Sequence, residues 1–229
     1  MEHMISDNLQ EVKARIEAAC LRSSRNADEV TLIAVSKTKP LEALMEAYDA
    51  GTCDFGENKV QEILDKAPAM PSDARFHMIG HLQRNKVKQV LPHAVLIHSV
   101  DSVRLAEQIE HDAAKDERVV DILLEVNVAK EESKFGFFPE DVMDAIDIIR
   151  TFPHLHITGL MTIAPFVEDS EENRPIFKKL YQLSVDIKKK NIDNVTMSVL
   201  SMGMTGDYEV AVEEGATMIR VGTGIFGAR

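Results

Sequence analysis

The chain is expected to fold as one closed (β/α)8 barrel spanning residues 1–229, with an extra helix ahead of the first strand. Three observations carry this. Short apolar runs alternate with segments of helical spacing from one end to the other. Eight such runs can be counted, and no composition break, linker or repeat divides them. The length, 229 residues, is common for α/β barrels. An open doubly wound sheet is the second architecture that the alternation allows.

The elements follow in order. An amphipathic helix is expected from Asp7 to Arg22, then strands near 31–36, 53–56, 76–80, 95–99, 121–128, 157–161, 196–200 and 218–221. Pro40 sits in the first turn of the helix after strand one and Gly51 follows its last turn, the usual proline-first, glycine-last asymmetry. Asp101 to Asp116 places Val103, Leu105, Ala106 and Ile109 on one side. Pro139 opens a helix from Glu140 to Phe152, whose Val142, Ala145, Ile146 and Ile149 recur at helical spacing. Glu171 to Asn191 repeats the pattern with Ile176, Leu180, Leu183 and Ile187.

Composition narrows the function. Apolar residues make up 45%, enough for a full core, yet no run reaches membrane-spanning length. With 26 basic and 38 acidic side chains, the net charge of −12 repels phosphate backbones, so nucleic acid is not expected as a partner. The one basic run, Lys188 to Lys190, closes a helix, where cations complement the dipole. Cys20 and Cys53 lie far apart in no metal or redox motif, and the polar start lacks a signal sequence, so a cytoplasmic setting is expected. His77 and His81 are four apart at a strand end rather than on one helical face, and no metal site is expected.

In such a barrel the residues just after each strand converge on one face, where chemistry resides. Lys37 closes the first strand, and a partly desolvated amine there becomes a usable nucleophile for an aldehyde. Asn58, His81, Ser99, Asn127, Met161, Ser201 and Arg220 follow at the other strand ends, with Gly222 and Thr223 beyond the last. These are mostly small or polar, which a mere barrel floor does not need. The loops Ser201–Gly206 and Gly222–Gly227 are glycine-rich turns after strands seven and eight, a favoured place for phosphate. Gly222, Gly224 and Gly227 also satisfy G-x-G-x-x-G, but no acidic residue stands about 20 positions on, as dinucleotide binding requires.

An amine and a phosphate cradle on one face together suggest a phosphorylated aldehyde held as a Schiff base, and pyridoxal 5′-phosphate (PLP) is the obvious candidate. Arg220, two residues before Gly222, would then face the pyridine nitrogen. A guanidinium cannot accept a proton, so it disfavours a protonated ring and makes it a poorer electron sink. Asn58 and His81 read as hydrogen-bond partners of the ring, since a catalytic role needs a second, opposed acid–base group.

The segments Ala34-Val-Ser-Lys-Thr-Lys-Pro40, Phe55-Gly-Glu-Asn58, Gly80-His-Leu-Gln83, Gly159-Leu-Met-Thr162, Leu200-Ser-Met-Gly-Met204 and Ile219-Arg-Val-Gly-Thr223 closely resemble the pyridoxal phosphate homeostasis proteins, the YggS/PROSC family, in the same order over nearly the whole chain. The resemblance implies a fold-type III barrel similar to the N-terminal domain of alanine racemase. It makes Lys37 the Schiff-base lysine, puts Ser201, Gly222 and Thr223 at the phosphate, and sets Arg220 against the ring nitrogen. Lys59 departs from an aromatic residue common in the family, and Thr205 replaces a common serine. The implied role is a monomeric carrier and buffer of PLP that supplies PLP-dependent apo-enzymes, with no catalytic residue. The alternative is an amino-acid racemase. Two-base racemisation needs a group on each face of the α-carbon, which alanine racemase takes from a tyrosine of an additional domain. Here Tyr48, Tyr181 and Tyr208 stand at no expected strand end. A Schiff-base aldolase leaves the anion loops and Arg220 less well explained.

Overall fold

The apolar runs become eight parallel strands: β1 (Thr31–Val35), β2 (Asp54–Glu57), β3 (Arg75–Met78), β4 (Ala94–Val100), β5 (Val120–Glu125), β6 (Leu155–Met161), β7 (Val195–Met204) and β8 (Met218–Val221). In the computed structural model, which describes residues 4–227, each strand pairs with the next and the ring closes where β1 meets β8. Residues 1–3 and 228–229 of the expected 1–229 unit lie outside the described residues. The closing register runs from Thr31 opposite Met218 to Ala34 opposite Val221.

Helices cover the outside: α1 (Ile5–Arg22), α2 (Leu41–Asp49), α3 (Val60–Lys66), α4 (Val87–Val90), α5 (Val103–Lys115), α6 (Val142–Ile149), α7 (Arg174–Lys189), α8 (Tyr208–Glu213) and α9 (Thr223–Phe226). Their apolar stripes bury against the outward side chains of the strands, where Phe55 and Phe76 stack at 5.8 Å. On α1 the spacing of Leu9, Val12, Ile16 and Ala19 puts one stripe into that core, and the Asn8 amide donates to the Ile225 carbonyl of α9 at 2.8 Å.

The barrel interior is different in kind. A small apolar plug of Leu96, Leu123 and Met161, with Val199 and Met218 against it, fills part of it. Polar side chains fill much of the rest: Asp54, His77, His98, Ser201 and Arg220 are all buried. β6 and β7 approach so closely that a Cβ on Gly159 would lie 1.8 Å from the Val199 carbonyl oxygen.

Several boundaries differ from the sequence expectation. β7 runs on to Met204, so Ser201 belongs to the strand and not to the loop after it. β6 begins at Leu155, which puts His156 inside the strand instead of before it. β5 ends at Glu125, whose carbonyl accepts from the Phe137 amide while the Asn127 amide donates to the Phe137 carbonyl, each at 2.8 Å. The two late helices start at Val142 and Arg174, each after a tight single turn that holds the acidic residues read as helical.

Candidate binding site at the C-terminal mouth of the barrel

Side chains alternate along β1, so a residue beside an outward-pointing neighbour faces in. Ser36 points out: its hydroxyl donates to Glu57 at 2.6 Å, and Lys66 of α3 donates to its carbonyl at 2.9 Å. Lys37 follows in the turn that closes the strand, half-buried. Thr38 holds a left-handed conformation, φ 65°, and its amide donates to Glu62 at 2.7 Å. Lys66 bridges Glu57 and Glu62 at 2.8 Å each. Two carboxylates thus share one ammonium. Burial pushes Glu57 up to about 7 despite Lys66 and Ser36, whereas at Glu62 the bonds from Lys66 and the Thr38 amide outweigh burial and lower it. The fixed cluster holds the backbone on both sides of Lys37. Lys39 is spent otherwise, donating to the carbonyls of Phe226 at 3.0 Å and Gly227 at 3.3 Å.

Across the β1–β8 pairing lies the second part. Arg220 is buried; its Nη1 donates to Ser201 Oγ at 2.5 Å and its Nη2 to the Thr162 carbonyl at 2.9 Å. Burial lowers its pKa to about 10, against the opposing charges of Glu125 and Asp207, so it remains a cation at neutral pH. Just beyond, the amides of Gly222 and Gly224 both point at Thr205 Oγ1, each at 3.3 Å. Convergent amides at the start of α9 form a ready anion cradle, with the Thr205 hydroxyl at its focus. Thr223 is the first residue of that helix.

The far rim carries His81, Asp101, Glu125 and Asn127. His81 Nδ1 lies 2.9 Å from Asp101 Oδ2, and its ring stacks on Phe135 at 3.9 Å. Asn58 packs beneath it, its carbonyl oxygen 2.4 Å from where a Cβ on Gly80 would stand. Asn127 instead closes its own loop through the Glu131 backbone, at 2.8 and 3.1 Å. Glu125 opens onto a cavity of about 170 Å³ lined also by Ser133, Lys134, Phe135 and Ile163. Burial, reinforced by Asp101 and only partly offset by Arg220, raises its carboxyl to about 7.

The expected residues thus gather on one mouth. Lys37, Arg220, Gly222 and Thr223 come from the paired strands β1 and β8, Asn58 and His81 from the ends of β2 and β3, and Ser201 from β7. Ser201 differs in orientation from the loop expectation: it sits inside the barrel, hydrogen-bonded to Arg220. Sequence reasoning missed Glu125, Asp101 and His98. The available signal was a polar residue at an inward position of an apolar strand, as in Val95-Leu-Ile-His98. Tyr48, Tyr181 and Tyr208 stand on the outer helices α2, α7 and α8. A half-buried amine, a cradle of amides and a guanidinium unable to accept a proton fit an aldehyde, a phosphate and an unprotonated ring nitrogen. They match the chemical groups of PLP one for one.

Residues 8–229 match the alanine racemase N-terminal domain family. The pyridoxal phosphate homeostasis protein of Aquifex aeolicus is 43% identical over 224 residues, 97% of either chain. That of Escherichia coli K12 is 37% identical over 230 residues, 98% of this chain and 97% of that one. Among solved structures, a protein of Bifidobacterium adolescentis superposes with a TM-score of 0.92 at 38% identity, over 97% of this chain and 94% of that one. PipY of Synechococcus elongatus, solved with PLP bound, superposes at 0.81 and 36% identity, over 94% of this chain and 100% of its own. Alanine racemase of Clostridium difficile shares the fold alone, with a TM-score of 0.75 at 13% identity; 97% of this chain covers 57% of that one. With this barrel, this mouth and these relatives, the chain belongs to the alanine racemase N-terminal domain family and, within it, to the pyridoxal phosphate homeostasis proteins.

Proposed function

We propose that the protein binds PLP covalently through Lys37 and serves as a cytoplasmic carrier and buffer of it, without efficient turnover of a substrate. The observation that carries this is the pairing of β1 with β8, which brings the strand that leads into Lys37 alongside the strand that carries Arg220 and leads into Gly222 and Gly224. The relatives named for pyridoxal phosphate homeostasis and the PLP-bound PipY structure support it. When bound, the cofactor supplies an aldehyde that condenses with a primary amine and a ring that delocalises charge.

The chain's residues divide the work. Lys37 supplies the amine, held in place by the Glu57–Lys66–Glu62 cluster. The Gly222 and Gly224 amides, the start of α9 at Thr223 and the Thr205 hydroxyl hold the phosphate. Ser201 takes part through Arg220, which donates to the ring nitrogen and keeps it unprotonated. Asn58 and His81 orient the ring, with Asp101 fixing the imidazole. Among the described residues no helix is long and apolar enough to cross a membrane. The cofactor passes on to PLP-dependent apo-enzymes, and the carrier works as a monomer.

One observation favours a second reading, a slow racemase-like enzyme: Glu125, on the strand opposite β1 in the ring, has a carboxyl that titrates near neutrality. One experiment separates the two. The protein with PLP is reduced with borohydride and mapped by mass spectrometry, and α-hydrogen exchange with a panel of amino acids is followed in deuterated water. The carrier reading expects label on Lys37 and, at most, slow exchange on one face, since a missing acid–base partner costs about 10²–10⁴-fold. Racemisation on the order of 10 per second overturns it in favour of the enzyme, and label on another residue overturns the assignment of Lys37.

A further inference from the structure

Behind Arg220 an unbroken line of side chains crosses the barrel interior. Arg220 Nη1 lies 2.5 Å from Ser201 Oγ, and Ser201 Oγ lies 2.8 Å from His98 Nδ1. His98 Nε2 is 3.0 Å from His77 Nδ1, and His77 Nε2 is 2.9 Å from Asp54 Oδ1. Arg75 closes the far end with a bidentate pair to Asp54 at 2.8 and 2.5 Å. His98 and Ser201 are fully buried, and His77 is 2% exposed. Asp54, Arg75 and His77 line a cavity of about 550 Å³ at the N-terminal mouth, with Asp121 and His156 on the same wall. The line therefore joins that mouth to the group assigned to the ligand ring.

The two ends fix the outer bonds of the line: Arg220 donates to Ser201, and Asp54 accepts from His77. A guanidinium only donates and an ionised carboxylate only accepts. Asp54 is ionised: burial works against this, but the bonds from Arg75 and His77 prevail and hold it at about 2. His98 is neutral, driven well below the ordinary histidine value by burial first and then by its neighbours His77 and Arg220. With His77 singly protonated, its Nδ1 accepts from His98 Nε2, so the neutral His98 accepts at Nδ1 from the Ser201 hydroxyl, which itself accepts from Arg220. His98 carries its proton on Nε2 and gives it to His77 Nδ1, and His77 carries its proton on Nε2 and gives it to Asp54. Every donor points from Arg220 toward Asp54. One added proton reverses part of this line. With both His77 nitrogens protonated, His98 must accept at Nε2, hold its proton on Nδ1 and donate it to Ser201, whose own hydroxyl proton is then turned off the line.

We propose that Asp54, His77, His98 and Ser201 form a positioning relay behind Arg220, through which a change of charge at the N-terminal mouth of the barrel reaches the ligand-facing guanidinium. The proposal rests on the assignment of Arg220 to the ring nitrogen. The charges that act on His77 are Asp54 on β2, Arg75 on β3 through Asp54, and Arg220 on β8 through His98. Asp121 on β5 and His156 on β6 share the cavity beneath it and are held to each other at 2.9 Å. Nothing in fold stability alone requires a polar line of this length, because the neighbouring interior is filled by Leu96, Leu123 and Met161.

Nitrogen NMR of the histidine rings in cofactor-free protein is the first test. The order from Arg220 to Asp54 places the proton of both rings on Nε2, and Ser201→Ala should shift the His98 Nδ1 resonance. Either ring found as the Nδ1–H tautomer or as imidazolium overturns the proton order. The second test uses His77→Phe, which cuts the line two links away from Arg220. With PLP added, the borohydride label on Lys37 should persist, while the nitrogen resonance of the PLP ring moves and affinity falls roughly tenfold, the low end for outer hydrogen-bond partners. Asp54→Asn, which keeps the shape and removes the charge, should shift both readouts in the same sense and stands in if His77→Phe fails to fold. Ring resonance and affinity equal to the parent in both variants reduce the line to structural filling. If the parent takes up no PLP, the proposed function fails, yet the cofactor-free histidine spectra still decide the proton order.

Discussion

Lys37 and Lys39 sit two residues apart on one loop, and the structure gives them opposite fates. Ser36 faces outward to Glu57 and leaves Lys37 half-buried in the turn after the strand, whereas Lys39 is tied to the carbonyls that end α9. Lys37→Ala should remove the borohydride label while the fold survives. Its thermal unfolding with PLP should drop only by the lost linkage, ~3 kcal/mol when the ligand stands at hundreds of times its dissociation constant. Lys39→Ala should keep the label; a label lost from Lys39→Ala and kept in Lys37→Ala would exchange their roles. The sequence displays Lys37 because an apolar run ends on a cation. It does not display Glu125, whose burial and whose neighbours Asp101 and Arg220 arrive from β4 and β8. Nor does it display that Ser201 faces Arg220, since that depends on how far the strand continues.

At the scale of elements, the packing of β6 against β7 is the tightest contact. A Cβ on Gly159 would sit 1.8 Å from the Val199 carbonyl, closer than any side-chain adjustment relieves. Gly159→Ala should destabilise by more than the ~1–3 kcal/mol usual for overpacking, or fail to fold, as read from urea unfolding. Gly206→Ala meets nothing within 4 Å and serves as the comparison. It should be neutral or stabilising by about 0.4–1 kcal/mol, through the unfolded chain. Equal midpoints for the two variants would show that the strands separate easily. The helical spacings and all eight strand positions were readable, because burial on one face leaves a period in the sequence. The extension of β7 was not: Met202 and Gly203 look like a loop, and the strand runs through them by a shift of register that brings Met204 opposite Arg220. The early end of β5 was hidden for the converse reason, since Val126 to Val128 has strand composition but the Asn127 amide donates to the Phe137 carbonyl.

For the whole molecule, the buried acids set a pH dependence. Glu57 and Glu125 have carboxyls raised from 4.5 to about 7, so the folded state holds their protons more tightly than the unfolded chain. The stability they add is complete below about pH 4.5 and is lost as pH rises to about 7. Each raised carboxyl is worth at most ~3 kcal/mol across that window. Asp54 acts in the opposite sense: held at about 2 against 3.8, it stabilises above the unfolded value and loses this only as pH falls toward 2. Urea midpoints should therefore fall between about pH 5 and about pH 8, and Glu57→Gln with Glu125→Gln should flatten the slope. A slope unchanged in the double variant would place the titration elsewhere. At this scale the closed barrel was legible from alternation, the count of eight apolar runs and the length taken together. The polar line through its interior was not, because its members stand on β2, β3, β4, β7 and β8 and share no local pattern.

The closure of the ring has one more consequence. Lys37 follows the first strand and the amide cradle follows the last, so a single small molecule fastened to both would staple the barrel at its seam. Breathing motions that part β1 from β8 would then be held back by the ligand itself. Amide hydrogen exchange at Leu32 to Ala34 should slow when PLP is added and remain unchanged when it is added to Lys37→Ala. Equal slowing in the variant would mean that the phosphate cradle alone holds the seam shut.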